Sequence, residues 1–388
     1  MSKPSSAPDT SSQRSTESLA PVERFVLEVL PTIPGPHRVT ETRRYPALIR
    51  RAAKDRGLSI STIEDLEYLY DGRIPVGGVK PTTSTLNSPE AKAISWSKYL
   101  TKKMLTASGL PFPAGIVLGP DQFDKALAHL QAMDRPSVLK PTSSKQGQGV
   151  TCGIVTEDDL RAAWASAGRL REQPGDVVLE EQIEGIDLRV CVIGRRAVAA
   201  AVRLPSYVVG DGPHSLAQLI DQKQLQRDQN AYLAKAPLSV DTARLLRDGR
   251  TLDDVPVAGE VVLLTGPANV AAGGVNVDVT DLVHPDVLRF AVDAARAAPG
   301  LRIAGVDLMA PDLDTVDGAV ILELNHTPDI RMHHYPTYGT PRDIAGAIVD
   351  EMIAAAGLPA RSPSRRTPEK PSMTRRLTRA VRRRRLAD

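Results

Sequence analysis

The stretch "ILELNHTPDIRMHHYP", residues 321–336, puts a carboxylate, an amide, three histidines and an arginine within sixteen residues. Imidazole is the commonest nitrogen ligand of zinc, yet His333 and His334 are adjacent and His326 is too distant for the i, i+4 spacing of a zinc helix. The apolar run "AVILEL" suits a buried strand, on which residues i and i+2 share one face. Glu323 and Asn325 then set a carboxylate beside an amide oxygen at a strand end. Hard oxygen ligands of this kind suit magnesium, which also takes oxygens from a substrate phosphate. The rest of the chain has to supply a place for that phosphate.

One candidate is "SVLKPTSSKQGQGVTCGIV", residues 137–155: a strand, a loop containing Gly147 and Gly149, then another strand. Glycines let backbone N–H groups approach an anion, and Lys140 adds a point charge. It is not a Walker A loop, because Gly-x4-Gly-Lys-Ser/Thr occurs nowhere in the chain. Nor is it a dinucleotide fingerprint, since the third glycine falls one residue late, at Gly153, and a strand follows where a helix should. A glycine hairpin alone is a weak signal. "VVLEEQIEGIDLRV", residues 177–190, adds an apolar strand, two adjacent acids, a glycine turn and Asp187. A strand end with free backbone groups can read an adenine edge, and an acid a few residues later accepts ribose hydroxyl hydrogens.

Composition bounds the class. With 388 residues the chain has length for two or three lobes, and aromatics at 4% leave the core to Ala, Val, Leu and Ile. No stretch reaches the ~18–20 consecutive apolar residues that span a bilayer, and the polar N-terminus lacks the apolar core of a secretory signal. Cys152 and Cys191 could pair only with each other, so a reducing cytoplasm is the expected location. The net charge of +3 is uneven: residues 359–388 hold eleven Arg or Lys against Glu369 and Asp388, a tail of +9 on a body of −6. The tail suits an anionic partner such as nucleic acid or a membrane surface, although a solvated end needs none. The acidic body excludes a basic nucleic-acid binder.

Short strands alternate with helices such as 45–57, 89–108, 123–133, 285–298 and 342–357, which predicts an α+β chain of mixed α/β lobes. The ordered pieces "SKYLTKKML", "VLKPTSSKQGQGV", "VLEEQIEGIDLRV", "VRLPSYVVGDGPHSLAQLI", "PANVAAGGVNVDVTDLVHPD", "AGVDLM" and "ILELNHTPDIRMHHYP" resemble an ATP-grasp ligase. The likeness is to the ATP-grasp module of cyanophycin synthetase and of the bifunctional glutamate–cysteine ligase/glutathione synthetase, over roughly residues 60–355. It implies an ATP-grasp fold with a pre-ATP-grasp lobe at 20–115, a small lid subdomain at 116–200 and a large subdomain with the magnesium site at 201–358. Residues 1–19 and the basic tail 359–388 are expected to be disordered.

The resemblance also implies roles. Lys98 and Lys140 would contact the ATP phosphates from two lobes, under a lid turn containing Gln146, Gly147 and Gly149. Glu180, Glu181 and Ile183 would line the adenine pocket and Asp187 would hold the ribose. Asp307, Glu323 and Asn325 would hold Mg2+, with Mn2+ as an alternative. Arg203 would face the γ-phosphate. Arg331, His333 and the "NVAAGG" loop with Asn269, Gly273 and Gly274 are where the substrates are expected. The implied activity is an ATP-dependent ligase joining a small carboxylate and an amine through an acyl phosphate, with a homo-oligomer left open. Modification of a ribosomal precursor peptide, and a non-catalytic nucleotide-binding regulator, are the alternatives.

Four departures from the family pattern stand out. Ser97 replaces the aspartate that usually precedes the first lysine, and Ala271-Ala272 replaces Ser-Thr before the paired glycines. Thr265 stands where an arginine is expected. Asp329 replaces the small residue that often follows the proline of the Asn-x-x-Pro turn. The ATP and magnesium set is intact, while the differences gather where a substrate should bind.

Overall fold

A computed structural model describes residues 19–142, 149–169, 176–266, 268 and 270–363. Three antiparallel sheets organise them. The first is a meander of β1 (Ser59–Ile63), β2 (Leu66–Asp71), β3 (Ile74–Lys80) and β4 (Thr83–Ser84). Its Leu69, Val76 and Val79 join a core with Ile49 and Ala53 of helix Tyr45–Asp55 and Ile348 and Met352 of helix Ile344–Ala355. The second contains β5 (Gly115–Leu118), β6 (Ser137–Pro141), β7 (Thr151–Ile154) and β8 (Val177–Glu181), in the order β5-β8-β6-β7. Helices Phe123–Gln131 and Glu157–Arg169 bury Leu130, Leu160 and Ala163 against Leu118, Leu139 and Leu179 of that sheet.

The third and largest sheet is built from β9 (Ile186–Ile193) and β10 (Arg196–Leu204). After the two-stranded ribbon of β11 (Tyr207–Val209) and β12 (Val261–Leu263), it continues with β13 (Val275–Asp278), β14 (Ile303–Ala310) and β15 (Val320–Asn325). The order is β13-β10-β9-β14-β15. Pleating sends alternate side chains to opposite faces. Leu188, Val190, Val192, Val202, Leu204, Val306 and Leu308 bury on one face against helix Pro285–Ala297 and the segment around Phe25 and Leu30. Asp187, Arg189, Arg203 and Asp307 are out of step with these residues and take the other face.

Two expectations are corrected by this architecture. The helix expected over 89–108 is two helices, Pro89–Trp96 and Lys98–Ala107, because Ser97 between them is extended (φ −98, ψ 110). Its hydroxyl accepts from Leu100 N at 3.3 Å, the capping contact that starts the second helix. Aspartate is an equally good N-cap, so serine here keeps the local geometry of the residue it replaces. The small lobe expected to run from 116 to 200 loses its last strands, because residues 186–204 pair within the central sheet and not with β8. Their near-continuous apolar burial requires the larger sheet.

Candidate active site

The charged end of the central sheet follows from strand register. Asp307 of β14 lies opposite Arg189 of β9, and Arg203 of β10 lies opposite Asp187 of β9. Both Arg189 Nε and Nη2 donate to the Asp307 carboxylate, the second at 2.9 Å. Arg203 reaches two acids: its Nε donates to Asp187 Oδ1 at 2.8 Å, and its Nη2 lies 3.0 Å from Asp307 Oδ2. Gly305, two residues before Asp307, leaves room for this, since a Cβ there would lie 3.0 Å from Arg189 Cδ. Burial would raise the Asp307 carboxyl, but the Arg189 and then the Arg203 charges outweigh it and hold Asp307 below the usual carboxylate range. Asp187 goes the other way. Burial pushes it up to about 6, with Arg203 opposing and the Asp307 charge adding to the rise.

A β-bulge places the remaining oxygen donors. Asp307 pairs with Glu323, whereas the next residue, Leu308, pairs with Ile321, so Leu322 is the extra residue. Ile321 and Leu324 therefore both reach the apolar core, while Glu323 and Asn325 share the face of Asp307. Asn325 Oδ1 accepts from Thr327 N at 2.8 Å, which fixes the amide in the turn after the strand. The donor set is all oxygen, with two carboxylates across one strand pair and one amide. It fits Mg2+, which binds through one or two carboxylates plus substrate phosphate oxygens. Asp307 still has capacity, because an ionised carboxylate offers about four acceptor positions.

Three lysines approach from outside the central sheet. Glu180, buried at the end of β8, binds Lys140 of β6 through one oxygen and Lys102 through the other, the latter at 2.8 Å. Lys102 also donates to Pro113 O at 3.0 Å, tying helix Lys98–Ala107 to the small sheet. Lys98, first residue of that helix, is pulled below its ordinary range by burial, with the Glu323 carboxylate opposing and the Lys140 charge adding to the effect. These charges act on one another because small sheet, helix and central sheet meet here. Glu181 Oε1 accepts from Ala114 N at 2.9 Å, and Ile183 is half-buried nearby in sequence. Gly149 has φ +72. Gln146, Gly147 and Asn269 lie outside the described residues.

The expected substrate loop is held by a residue the sequence did not flag. Arg227, buried on helix Leu216–Asp228, donates to the carbonyls of Gly273, Gly274, Val270 and Ala236 at 2.7–3.1 Å. Gly273 is required there: φ is +86 and a Cβ would lie 2.5 Å from Ser239 N. Arg331 forms a two-point pair with Asp329, at 2.8 and 2.7 Å, and its guanidinium lies 5.8 Å from the centre of the Tyr232 ring. The departure at Asp329 thus occupies the fork that was expected to meet a carboxylate. The histidines separate: the His326 ring nitrogen lies 2.8 Å from Ser95 Oγ, and His334 Nε2 accepts from Ala345 N at 3.2 Å. His333 is 1% exposed with neither ring nitrogen hydrogen-bonded among the described residues. Burial, then the Arg189 charge, pulls its imidazole down to about 3.

Arg189, Lys102 and Arg227 contact the expected site residues and are missing from the sequence reading. Arg189 had a signal, because it stands at i+2 from Asp187 on a strand and so shares its face. The other two look like ordinary helix-surface cations until the tertiary structure buries Arg227 and half-buries Lys102.

Comparison with protein-family models gave no match. The chain is 35% identical over 272 residues to cyanophycin synthetase from Trichormus variabilis, covering 67% of this chain and 29% of that protein. It is 28% identical over 309 residues to the bifunctional glutathione biosynthesis protein of Pasteurella multocida, covering 76% of this chain and 39% of the relative. The crystal structure of a bifunctional glutathione synthetase from Pasteurella multocida superposes with a TM-score of 0.54 at 25% identity, over 77% of this chain and 42% of that one. The chain therefore spans well under half the length of these relatives. The architecture is the ATP-grasp fold, and the chain is similar to the ATP-grasp module of these two ligases.

Proposed function

We propose that the chain is an ATP-dependent carboxylate–amine ligase that forms an amide bond between amino-acid-like substrates. The observation that supports this reading is the meeting of Asp307, Glu323 and Asn325 with Arg203 and with Lys98 and Lys140, which come from two different lobes. Hydroxide is a poor leaving group, so a carboxylate has to be activated before an amine can displace it. A substrate carboxylate oxygen attacks the γ-phosphorus of ATP, the bond to the bridging oxygen breaks, and ADP leaves. The amine then attacks the acyl carbon, loses a proton, and expels inorganic phosphate from the tetrahedral intermediate.

In this reading Asp307, Glu323 and Asn325 would hold Mg2+, or Mn2+, which would supply positive charge to offset the negative charge of the phosphates. Lys140 exchanges its partner Glu180 for phosphate, and Lys98 approaches from the other lobe. Arg203 stabilises charge as the phosphoryl group moves. Glu180, Glu181 and Ile183 border the adenine, with Asp187 at the ribose. The loop at 269–274, Arg331 and His333 border the substrates. Asp329 neutralises Arg331, so substrate selection differs from that of a site with a free guanidinium.

The test is phosphate release from ATP and Mg2+ with amino acids supplied pairwise in pools, beside Glu323→Ala. Release should require one acid and one amine and fall about 100-fold or more in the variant. Release that persists undiminished in Glu323→Ala, or tight ATP binding that no pool converts to turnover, would overturn the proposal.

A further inference from the structure

Beyond the edge strand β13, two adjoining cavities share Lys223, Gln226 and Tyr338 in their walls. The larger holds about 300 Å3 and is lined by Val26, Leu30 and Ile33 on one side and Tyr207 on another. The smaller, about 20 Å3, has room for one water and runs back toward Arg227. Neither lining contains an aspartate or glutamate. Lys223 Nζ lies 4.4 Å from the centre of the Tyr207 ring, whose face partly compensates its charge. Among the described residues no carboxylate pairs with it, and the neighbouring charge that acts on it is Arg227, of the same sign. Burial, then Arg227, pulls the amine down to about 8. Arg227 itself is engaged by four backbone carbonyls, which leaves Lys223 as the cation open to a ligand.

We propose that this cavity binds a small apolar monocarboxylate, its carboxylate on Lys223 and its hydrocarbon body along Val26, Leu30, Ile33 and Tyr207. A buried ammonium among aliphatic groups is stabilised by one anion that brings no further charge. A free amino acid does not meet that condition, because its ammonium would face Lys223 and Arg227 with no acid in the wall. A phosphate ester carries more charge and more acceptors than Lys223 can satisfy with Gln226 and Tyr338 as the other side-chain donors common to both cavities. The site is separate from the nucleotide chemistry. Tyr207 packs in the core with Val202, Leu204 and Val275, on the sheet face opposite Arg203 and Asp307.

Octanoate is the probe, titrated calorimetrically into the full chain beside octanol (the same body without charge) and acetate (the charge without a body). Octanoate should bind saturably at one site, with octanol and acetate at least about tenfold weaker. Lys223→Met should lose octanoate at least about tenfold and retain octanol, which also reports that the cavity is folded. In the unsubstituted protein, octanoate should slow acetylation of Lys223 by acetic anhydride, followed by peptide mass spectrometry, and octanol should not. This readout decides the matter if the variant fails to fold. Equal binding of octanoate and octanol, undiminished octanoate binding by Lys223→Met, absence of saturable binding, or unprotected acetylation would each overturn the site.

Discussion

At one end of the central sheet Cys191, Ile193, Ala199 and Ile303 enter an apolar layer, while at the other end of the same face Asp187, Arg189, Arg203 and Asp307 form a charged cluster. The strands are the same and so is the pleat. The difference lies in the cover. Helices Tyr45–Asp55 and Ile344–Ala355 seal the first end with Ile49, Ile348 and Met352. The second end faces Lys98 and the small sheet with Lys140 and Glu180, so its charges are matched by other charges. Alternation decides which side chains share a face, and the neighbouring layer decides what that face is for.

Substitutions at the two ends should therefore separate stability from chemistry. The largest effect is expected from Asp307→Ala, which leaves Arg189 and Arg203 without their shared acid. Denaturant unfolding should show a loss of about 3–5 kcal/mol, together with loss of ATP-dependent phosphate release. At the apolar end Ile193→Ala should cost about 2–5 kcal/mol by leaving a cavity, with kcat unchanged at temperatures where the protein stays folded. A variant of Ile193 that lowered kcat in the folded protein would break the comparison.

A smaller effect tests the boundary between the regions. His333 is buried neutral with its folded-state value near 3, below the ordinary ~6.5 of the unfolded chain. The unfolded chain therefore binds the extra proton first, and His333 contributes stability above about pH 6.5 that is lost progressively as pH falls toward 3. Its largest contribution to the slope is about 1.4 kcal/mol per pH unit. His333→Gln should flatten the stability profile between pH 6 and pH 4 by up to that amount; an unchanged profile would place the imidazole in contact with water. The smallest effect, about 1 kcal/mol, is expected for Ser97→Ala, which removes the cap of the Lys98 helix. Ser97→Asp should restore it.

Much of this was readable in the chain. Glu323 beside Asn325 on one strand face follows from a buried apolar run that ends in polar residues. The break at Ser97 was not, because a helix-capping serine inside a run of good helix formers looks the same as a serine within one long helix. The place of β9 was misjudged for a related reason. A buried apolar strand carries no mark of which sheet it will join, and only its partners at 196–204 and 303–310 decide that. Lys102 and Arg227 were missed because a long cationic side chain on a helix ordinarily points to water. The substrate side was readable only as a set of departures: Asp329 was visible as an anomaly, and its hold on Arg331 required coordinates.

The extra residue at Leu322 shifts the phase of β15. Before it, the strand's two-residue rhythm sends Ile321 into the oil; after it, the same rhythm sends Glu323 and Asn325 toward the charged face. Which atoms can meet a cation is thus encoded partly in length, by one residue more than its partner strand has. An alignment that slid a gap through 318–324 could match every letter of the "ELN" signature and still assign it to the wrong side of the sheet.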